Sequence, residues 1–294
     1  MEKAVYHLPG LFEFYDFYRK FLPIYREKTE YFYDWCQIGS LYGAPADCLW
    51  AGGRVSTGNA NPRQVLALTE EYGLSGRLTF SNSLLCPEHL KDPKCNRLCA
   101  LFGAESGNGV IVHSELLLDY LKEKYPNFYF VSSTTKVLTD FEDLAAETER
   151  PDFRYVVPDF RLNKVFDRLA GLKEKRKVEF LCNECCWPGC RERKECYENV
   201  SRKNLGERCP DHICAAPEGE KGYRFSTAMK NPAFIGIRDI RETYLPMGFS
   251  QFKIEGRGLG SAMLLEFILY YLTKPEYQLP LREEMYLDSM LDLF

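Results

Sequence analysis

Cysteine is the residue type with the clearest chemical potential in this chain, and its distribution is clustered. Seven of the 12 cysteines fall between residues 182 and 214. They are Cys182, Cys185, Cys186, Cys190, Cys196, Cys209 and Cys214. Thiolates three or four residues apart on a turn can bind one metal centre together, and Pro188 and Gly189 would fix the bend before Cys190. Segment 182–214 is therefore predicted to bind either zinc or an iron–sulfur cluster, which local spacing does not separate.

The other five cysteines give a weaker signal. They are Cys36, Cys48, Cys86, Cys95 and Cys99. The last three lie near His89, and together these four residues have the ligand types of a second metal site. Thiols on a loop and along one helix face would have the same spacing, and we prefer that interpretation. Cys36 and Cys48 are expected to be small core residues.

Residues 251–257 combine a strand pattern with three charges. A period of two places Lys253, Glu255 and Arg257 on one face and apolar side chains on the other. If the charged face points into a barrel, the charges must be paired, because an isolated buried charge costs several kcal/mol. A purely structural ion ladder is one interpretation. In the other, Arg257 clamps an anionic group, and Glu255 orients Lys253 or acts as an acid–base group.

Short β-rich runs alternate with helical patterns along the chain. The predicted strands are 48–54, 77–82, 110–113, 128–132, 153–157, 178–182, 234–238 and 251–257. Eight strand–helix units indicate an α/β protein with a single (β/α)8 TIM-like barrel over residues 1–294. The cysteine-rich segment would be an insert after the sixth strand. An open, doubly wound sheet is the alternative.

Polar residues follow several of these strands. Asn82 ends the second predicted strand, Asn163 comes shortly after the fifth, and Asn183 and Glu184 follow the sixth. Because barrel enzymes place functional groups at the C-terminal ends of their strands, these side chains are candidates for a site. Polar residues also cap helices at such positions, which is the ordinary alternative.

Composition and charge exclude some classes of protein. Lys and Arg total 38 against 42 Asp and Glu, so a net charge of −4 argues against binding nucleic acid through the whole surface. The longest apolar stretch, 262–272, contains Glu266 and is far shorter than the ~20 residues of a membrane span. The first 20 residues lack the apolar centre of a secretion signal. We therefore expect a cytoplasmic protein, where a reducing environment favours metal binding over disulfides.

Two motifs of the chain occur together in one known family. Residues 183–190 read Asn-Glu-Cys-Cys-Trp-Pro-Gly-Cys and are followed by Arg193 and Tyr197, and residues 252–257 read Phe-Lys-Ile-Glu-Gly-Arg. This resembles the collagenase-like peptidases, peptidase family U32, whose pattern is Asn-Glu-x-Cys-x-x-x-Cys with a late Phe-Lys-x-x-Gly-Arg. The resemblance extends more loosely from Asn82 to Arg257 and implies a barrel fold.

The resemblance also implies a cofactor and a reaction. Several members hold a [4Fe-4S] cluster with four cysteines and support oxygen-independent hydroxylation, of ubiquinone precursors in one branch and of RNA bases in another. Cys186 and Cys190 match the family cysteines, and Cys209 and Cys214 are the expected remaining ligands. The alternatives are Cys182, Cys185 and Cys196, which have no counterpart in the family pattern.

The remaining site residues follow from the same motifs. Asn183 and Glu184 match the polar pair of the family, and Lys253 and Arg257 match its late basic residues. The expected catalytic residues are Glu184, Lys253 and Glu255. The residues expected to bind a small anionic substrate are Asn82, Asn163, Asn183 and Arg257.

Partners and rival functions follow from the resemblance as well. The larger RNA-acting members carry extra C-terminal domains that this chain lacks, which argues against an RNA substrate. One branch works in pairs, which implies a homologous partner subunit. A peptidase is an alternative, although the sequence has neither a recognisable nucleophile turn nor a His-Glu-x-x-His motif. The other alternative function is that of a binding protein stabilised by a metal.

Overall fold

Eight parallel strands curl into an almost closed barrel in the computed structural model, which describes residues 2–53, 58–217 and 222–291. The strands are β1 (Ala4–Pro9), β2 (Cys36–Gly43), β3 (Ser75–Phe80), β4 (Gly109–Val112), β5 (Tyr129–Ser132), β6 (Phe153–Val156), β7 (Glu179–Leu181) and β8 (Gln251–Lys253). Their spatial order is β6-β5-β4-β3-β2-β1-β8-β7. A parallel bridge between Val156 and Val178 connects the two outer strands and nearly closes the barrel.

Helices follow most of the strands. They are α1 (Tyr15–Glu27), α2 (Pro62–Glu71), α3 (Pro93–Phe102), α4 (Glu115–Lys124), α5 (Phe141–Glu149), α6 (Phe166–Leu169), α7 (Arg193–Asn204), α8 (Phe225–Ala228), α9 (Ile237–Asp239), α10 (Ser261–Tyr271) and α11 (Gln278–Leu291). Four begin at a side chain that accepts a backbone N–H, namely Asn61, Asp92, Ser114 and Asp140. Within the described residues, no helix combines the length and apolar character that crossing a lipid bilayer requires.

The TIM-like barrel is confirmed, but two strands differ from the prediction. β1 and β2 lie outside the predicted runs, and residues 48–53 and 234–238 form no strand. Residue 54 lies outside the described residues. Cys48, Trp50 and Ala51 are buried there, which accounts for the apolar pattern, and Trp50 donates its indole N–H to the carbonyl of His89 at 2.8 Å. The predicted sixth strand, 178–182, corresponds to β7, so the cysteine-rich segment follows the strand that the sequence predicted, although that strand is the seventh in the chain.

The barrel interior has an apolar layer of its own. Tyr42, Ile111, Val131, Val157 and Leu181 pack together, separately from the larger core between strands and helices. Arg77 and Glu179, which precede this layer along β3 and β7, are buried and form an ion pair. Lys253 lies beside Leu181 in the sheet register and contacts Glu179, so it connects this buried pair to the C-terminal mouth of the barrel.

Candidate functional site

A cavity of about 770 Å³ opens at the C-terminal ends of the strands. Tyr42, Ile111 and Leu181 of the interior apolar layer contribute to its lining, together with Thr79 and Lys253. Another part of the lining comes from the cysteine-rich segment and the residues that follow it. This is the end of a TIM-like barrel at which functional groups collect.

The cavity brings together part of the predicted site. Six predicted residues line it: Glu184, Cys186, Cys214, Lys253, Glu255 and Arg257. Five others are not part of the lining as the described residues define it: Asn82, Asn163, Asn183, Cys190 and Cys209. Cys185 and Cys196 line it as well, so four cysteines of the segment face one cavity.

Lys253 is a buried cation at the base of this cavity. Its Nζ lies 3.2 Å from Oε1 of Glu179 and 3.7 Å from the centre of the Tyr42 ring. Burial lowers the pKa of Lys253 to about 8, although Glu179 opposes the shift. Lys253 is therefore a cation that titrates near neutral pH, as a proton-handling group must.

Glu179 is the anion that compensates the interior charges. Its Oε2 lies 2.5 Å from Nη1 of Arg77 and 3.5 Å from Nε2 of His7. Burial would raise the pKa of Glu179, but the neighbouring cations hold it well below its usual range. Burial also lowers the pKa of His7 to about 3, so this imidazole is neutral at pH 7. One carboxylate thus faces two buried cations, Arg77 and Lys253.

The pKa of Lys253 predicts how anion binding varies with pH. Above about pH 8 the amine loses its proton, so the affinity for a carboxylate such as 3-phenylpropanoate should fall by up to about tenfold per pH unit. Lys253→Arg should remove that fall, because a guanidinium stays charged. Calorimetric titration between pH 6.5 and 9.5 measures both. Equal pH dependence in the two proteins would contradict the assignment.

Arg257 is held in the cavity lining by a residue from the other end of the chain. Its Nε donates to Oε1 of Glu13 at 2.8 Å, and its Nη2 donates to the carbonyl of Ala44 at 3.1 Å. Both charged side chains are buried. The Glu13 carboxylate therefore compensates the charge of Arg257, and the two contacts fix the orientation of its guanidinium.

The three predicted asparagines are buried and bind backbone groups. The Asn183 amide donates to the Glu255 carbonyl at 3.1 Å and accepts from the Glu255 N–H at 2.7 Å. Asn163 donates to the carbonyls of Leu181 and Ala233, and Asn82 to those of Leu49 and Ser201. In these positions the amides hold neighbouring segments in place. Their role in substrate binding stays a prediction.

Glu184 holds the turn that carries the first cavity cysteines. Its Oε1 accepts the N–H groups of Cys185 and Cys186, each at 3.0 Å, and its Oε2 accepts from Nη2 of Arg193 at 2.6 Å. Arg193 also contacts Asp159 at 3.3 Å. Its guanidinium lies between two aromatic rings, those of Phe160 and Tyr197. A buried chain of charges therefore anchors this turn to the barrel.

The thiols fit a soft metal centre by their chemistry. Within the described residues, the one group of possible ligands whose atoms all lie within 4.8 Å of one another is Glu184, Cys185 and Glu255. The four predicted thiols form no such tight group there. Ligands of an iron–sulfur cluster bind different iron atoms, so they need not meet as closely as ligands of one ion. Four sulfur donors around one cavity fit zinc or such a cluster.

Sequence reasoning missed Glu13, Glu179 and Arg77 as partners of the site. Glu179 stands between Val178 and Phe180, and a charge inside an apolar strand is the signal that could have marked it. Glu13 carries no comparable local signal, because its partner lies 244 residues away.

Comparison with solved structures supports the fold. The chain is similar to the U32 peptidase Mk0906, with a TM-score of 0.55 and 14% sequence identity over 88% of this chain and 94% of that chain. A match to thiamine phosphate pyrophosphorylase from Pyrococcus furiosus covers 69% of this chain and 95% of that chain, at 12% identity, but its TM-score of 0.33 supports no argument. No protein-family model matches the chain, and no curated protein matches it significantly. The first match agrees with the TIM-like barrel.

Proposed function

We propose that the chain is an iron–sulfur oxidoreductase of the U32 peptidase type, acting on a small anionic substrate. The observation that carries the proposal is one cavity at the functional end of the barrel that combines four cysteines with Lys253 and Arg257. The resemblance in two motifs and the shared fold support the family. Hydroxylation without molecular oxygen is the reaction we favour.

The residues of this chain would divide the work as follows. Arg257 and Lys253 bind and orient the anionic group of the substrate. Glu255, whose backbone Asn183 holds, exchanges a proton with the substrate through its carboxylate. A [4Fe-4S] cluster held by the cysteines that line the cavity would supply electron transfer when bound. A homologous partner subunit stays a prediction.

Anaerobic purification followed by iron and sulfide analysis tests the cofactor. We expect about four iron and four sulfide per chain, with a broad visible absorption that is lost on exposure to air. A colourless protein that contains one zinc and no iron would contradict the proposal.

Serine variants identify the ligands. The predicted set is Cys186, Cys190, Cys209 and Cys214, whereas the cavity-lining set is Cys185, Cys186, Cys196 and Cys214. We propose the cavity-lining set. Cys196→Ser should then lose most of its iron, while Cys209→Ser keeps it. The matched control is Cys86→Ser, because Cys86 is not part of the cavity lining. This variant should bind as much iron as the unmodified protein. Iron loss in Cys209→Ser but not in Cys196→Ser would restore the predicted set.

Peptide hydrolysis is the second candidate, because the solved structure with the same fold is described as a peptidase. Cleavage of peptides by protein stripped of all metal would favour it. The same assay on Glu255→Gln would show whether the cavity is responsible.

A further inference from the structure

The wall of the cavity opposite β8 is rich in hydroxyl groups. Four of the hydroxyl residues lining this wall are Ser81, Ser133, Thr134 and Thr135, which follow β3 and β5. β4 lies between those strands and is four positions from β8 in the eight-stranded order. The hydroxyls therefore lie across the barrel from Lys253 and Arg257.

Three of these hydroxyls are engaged with one another. The Ser133 Oγ donates to the Ser81 Oγ at 3.0 Å, and the Thr135 Oγ1 lies 3.0 Å from the Ser133 Oγ. The Nδ1 of His113 lies 2.9 Å from the Thr135 Oγ1. Burial lowers the pKa of His113 to about 4, so its imidazole is neutral at pH 7. This network fixes an uncharged polar surface at the mouth of the barrel.

Two other hydroxyls of the cavity have no such engagement. The Oγ1 atoms of Thr79 and Thr134 are buried and have no hydrogen-bond partner among the described residues. Thr79 is 8% exposed and lines the cavity beside the apolar Ile111. A buried hydroxyl without a partner costs free energy, and a ligand oxygen in the cavity would remove that cost. Each hydroxyl can both donate and accept a hydrogen bond.

We propose that Thr79 and Thr134 form a subsite for a neutral hydroxyl or carbonyl oxygen of the substrate. The substrate is then a small anion whose charged group lies toward Lys253 and Arg257 and whose uncharged oxygen lies at the opposite wall. Ile111 and Leu181 also line the cavity, so we expect the middle of the substrate, between its charged group and its uncharged oxygen, to be apolar. The inference rests on the proposed function only for the anionic group, and it does not depend on a metal.

Matched pairs of carboxylates test the subsite by calorimetric titration. The pairs are 3-phenylpropanoate with 3-(4-hydroxyphenyl)propanoate, and hexanoate with 6-hydroxyhexanoate. In at least one pair, the hydroxylated acid should bind about tenfold more tightly to the unmodified protein, as expected for one hydrogen bond. Thr79→Val or Thr134→Val should abolish this preference, and Thr79→Ser should retain it.

The matched control is Thr69→Val, because Thr69 is buried in α2 and its hydroxyl already donates to the Leu66 carbonyl at 2.8 Å. This variant should keep the preference even if its stability falls. The inference is overturned if neither pair shows a preference for the hydroxylated acid. It is also overturned if the preference remains in Thr79→Val and in Thr134→Val. Either result leaves the iron and sulfide analysis unaffected, so failure of the subsite is distinguishable from failure of the proposed function.

Discussion

Replacing Glu179 with glutamine is expected to lower the free energy of unfolding by about 3–5 kcal/mol, although the two side chains have almost the same shape. Glu179 is fully buried and is the carboxylate that contacts both Arg77 and Lys253. Glutamine leaves two cations in the barrel interior without their anion. The low pKa of Glu179 means that its contribution is present above about pH 4.3, the ordinary value, and is lost as the pH falls.

Urea denaturation at pH 7 measures this effect. The matched control is Glu149→Gln, which breaks an exposed 2.8 Å ion pair with Lys173 and should cost less than about 1 kcal/mol. The double variant Glu179→Gln, Lys253→Met should be more stable than Glu179→Gln alone, because one unpaired cation is removed. A Glu179→Gln protein as stable as the control would mean that the two cations do not depend on this carboxylate.

The fold was largely predictable because six strands coincide with short β-rich runs between turn signals. β1 and β2 were not predicted, for physical reasons. β1 is buried on both sides, so its side chains show no alternation, and its polar His7 points into the barrel. β2 contains Gly39, where a side chain would collide with Val5 at 2.4 Å, so a residue that weakens strand prediction is needed for close packing.

The site was predictable where one strand carries the signal and not where distant segments meet. The alternation of 251–257 predicted that Lys253 and Arg257 lie together, and both line the cavity, although β8 ends at Lys253 and Arg257 lies in the segment that follows it. Their partners, Glu179 and Glu13, lie 74 and 244 positions away, and no local pattern connects them. The cysteine spacing identified the segment but not which thiols reach the cavity, because that depends on how the segment folds back over the barrel.

Arg193 anchors the first turn of that segment through Glu184, and its replacement gives the second large expected effect. Arg193→Met removes the cation between two buried carboxylates, Asp159 and Glu184, and should cost about 3–5 kcal/mol. Arg193→Lys should cost less, because the charge remains while the planar donor arrangement between Phe160 and Tyr197 is lost.

A local measurement separates anchoring of the turn from general stability. Glu184 binds the N–H groups of Cys185 and Cys186 while Arg193 holds its other oxygen, so loss of Arg193 should loosen these thiols before the barrel unfolds. We expect Cys186 of the metal-free protein to react with a maleimide at least about tenfold faster in Arg193→Met under native conditions, because local opening requires less free energy than global unfolding. The control is Arg191→Met, because Arg191 is exposed. This variant should leave the rate of the maleimide reaction unchanged. An unchanged rate in Arg193→Met, together with the expected loss of stability, would show that the arginine supports the barrel without positioning the cysteines.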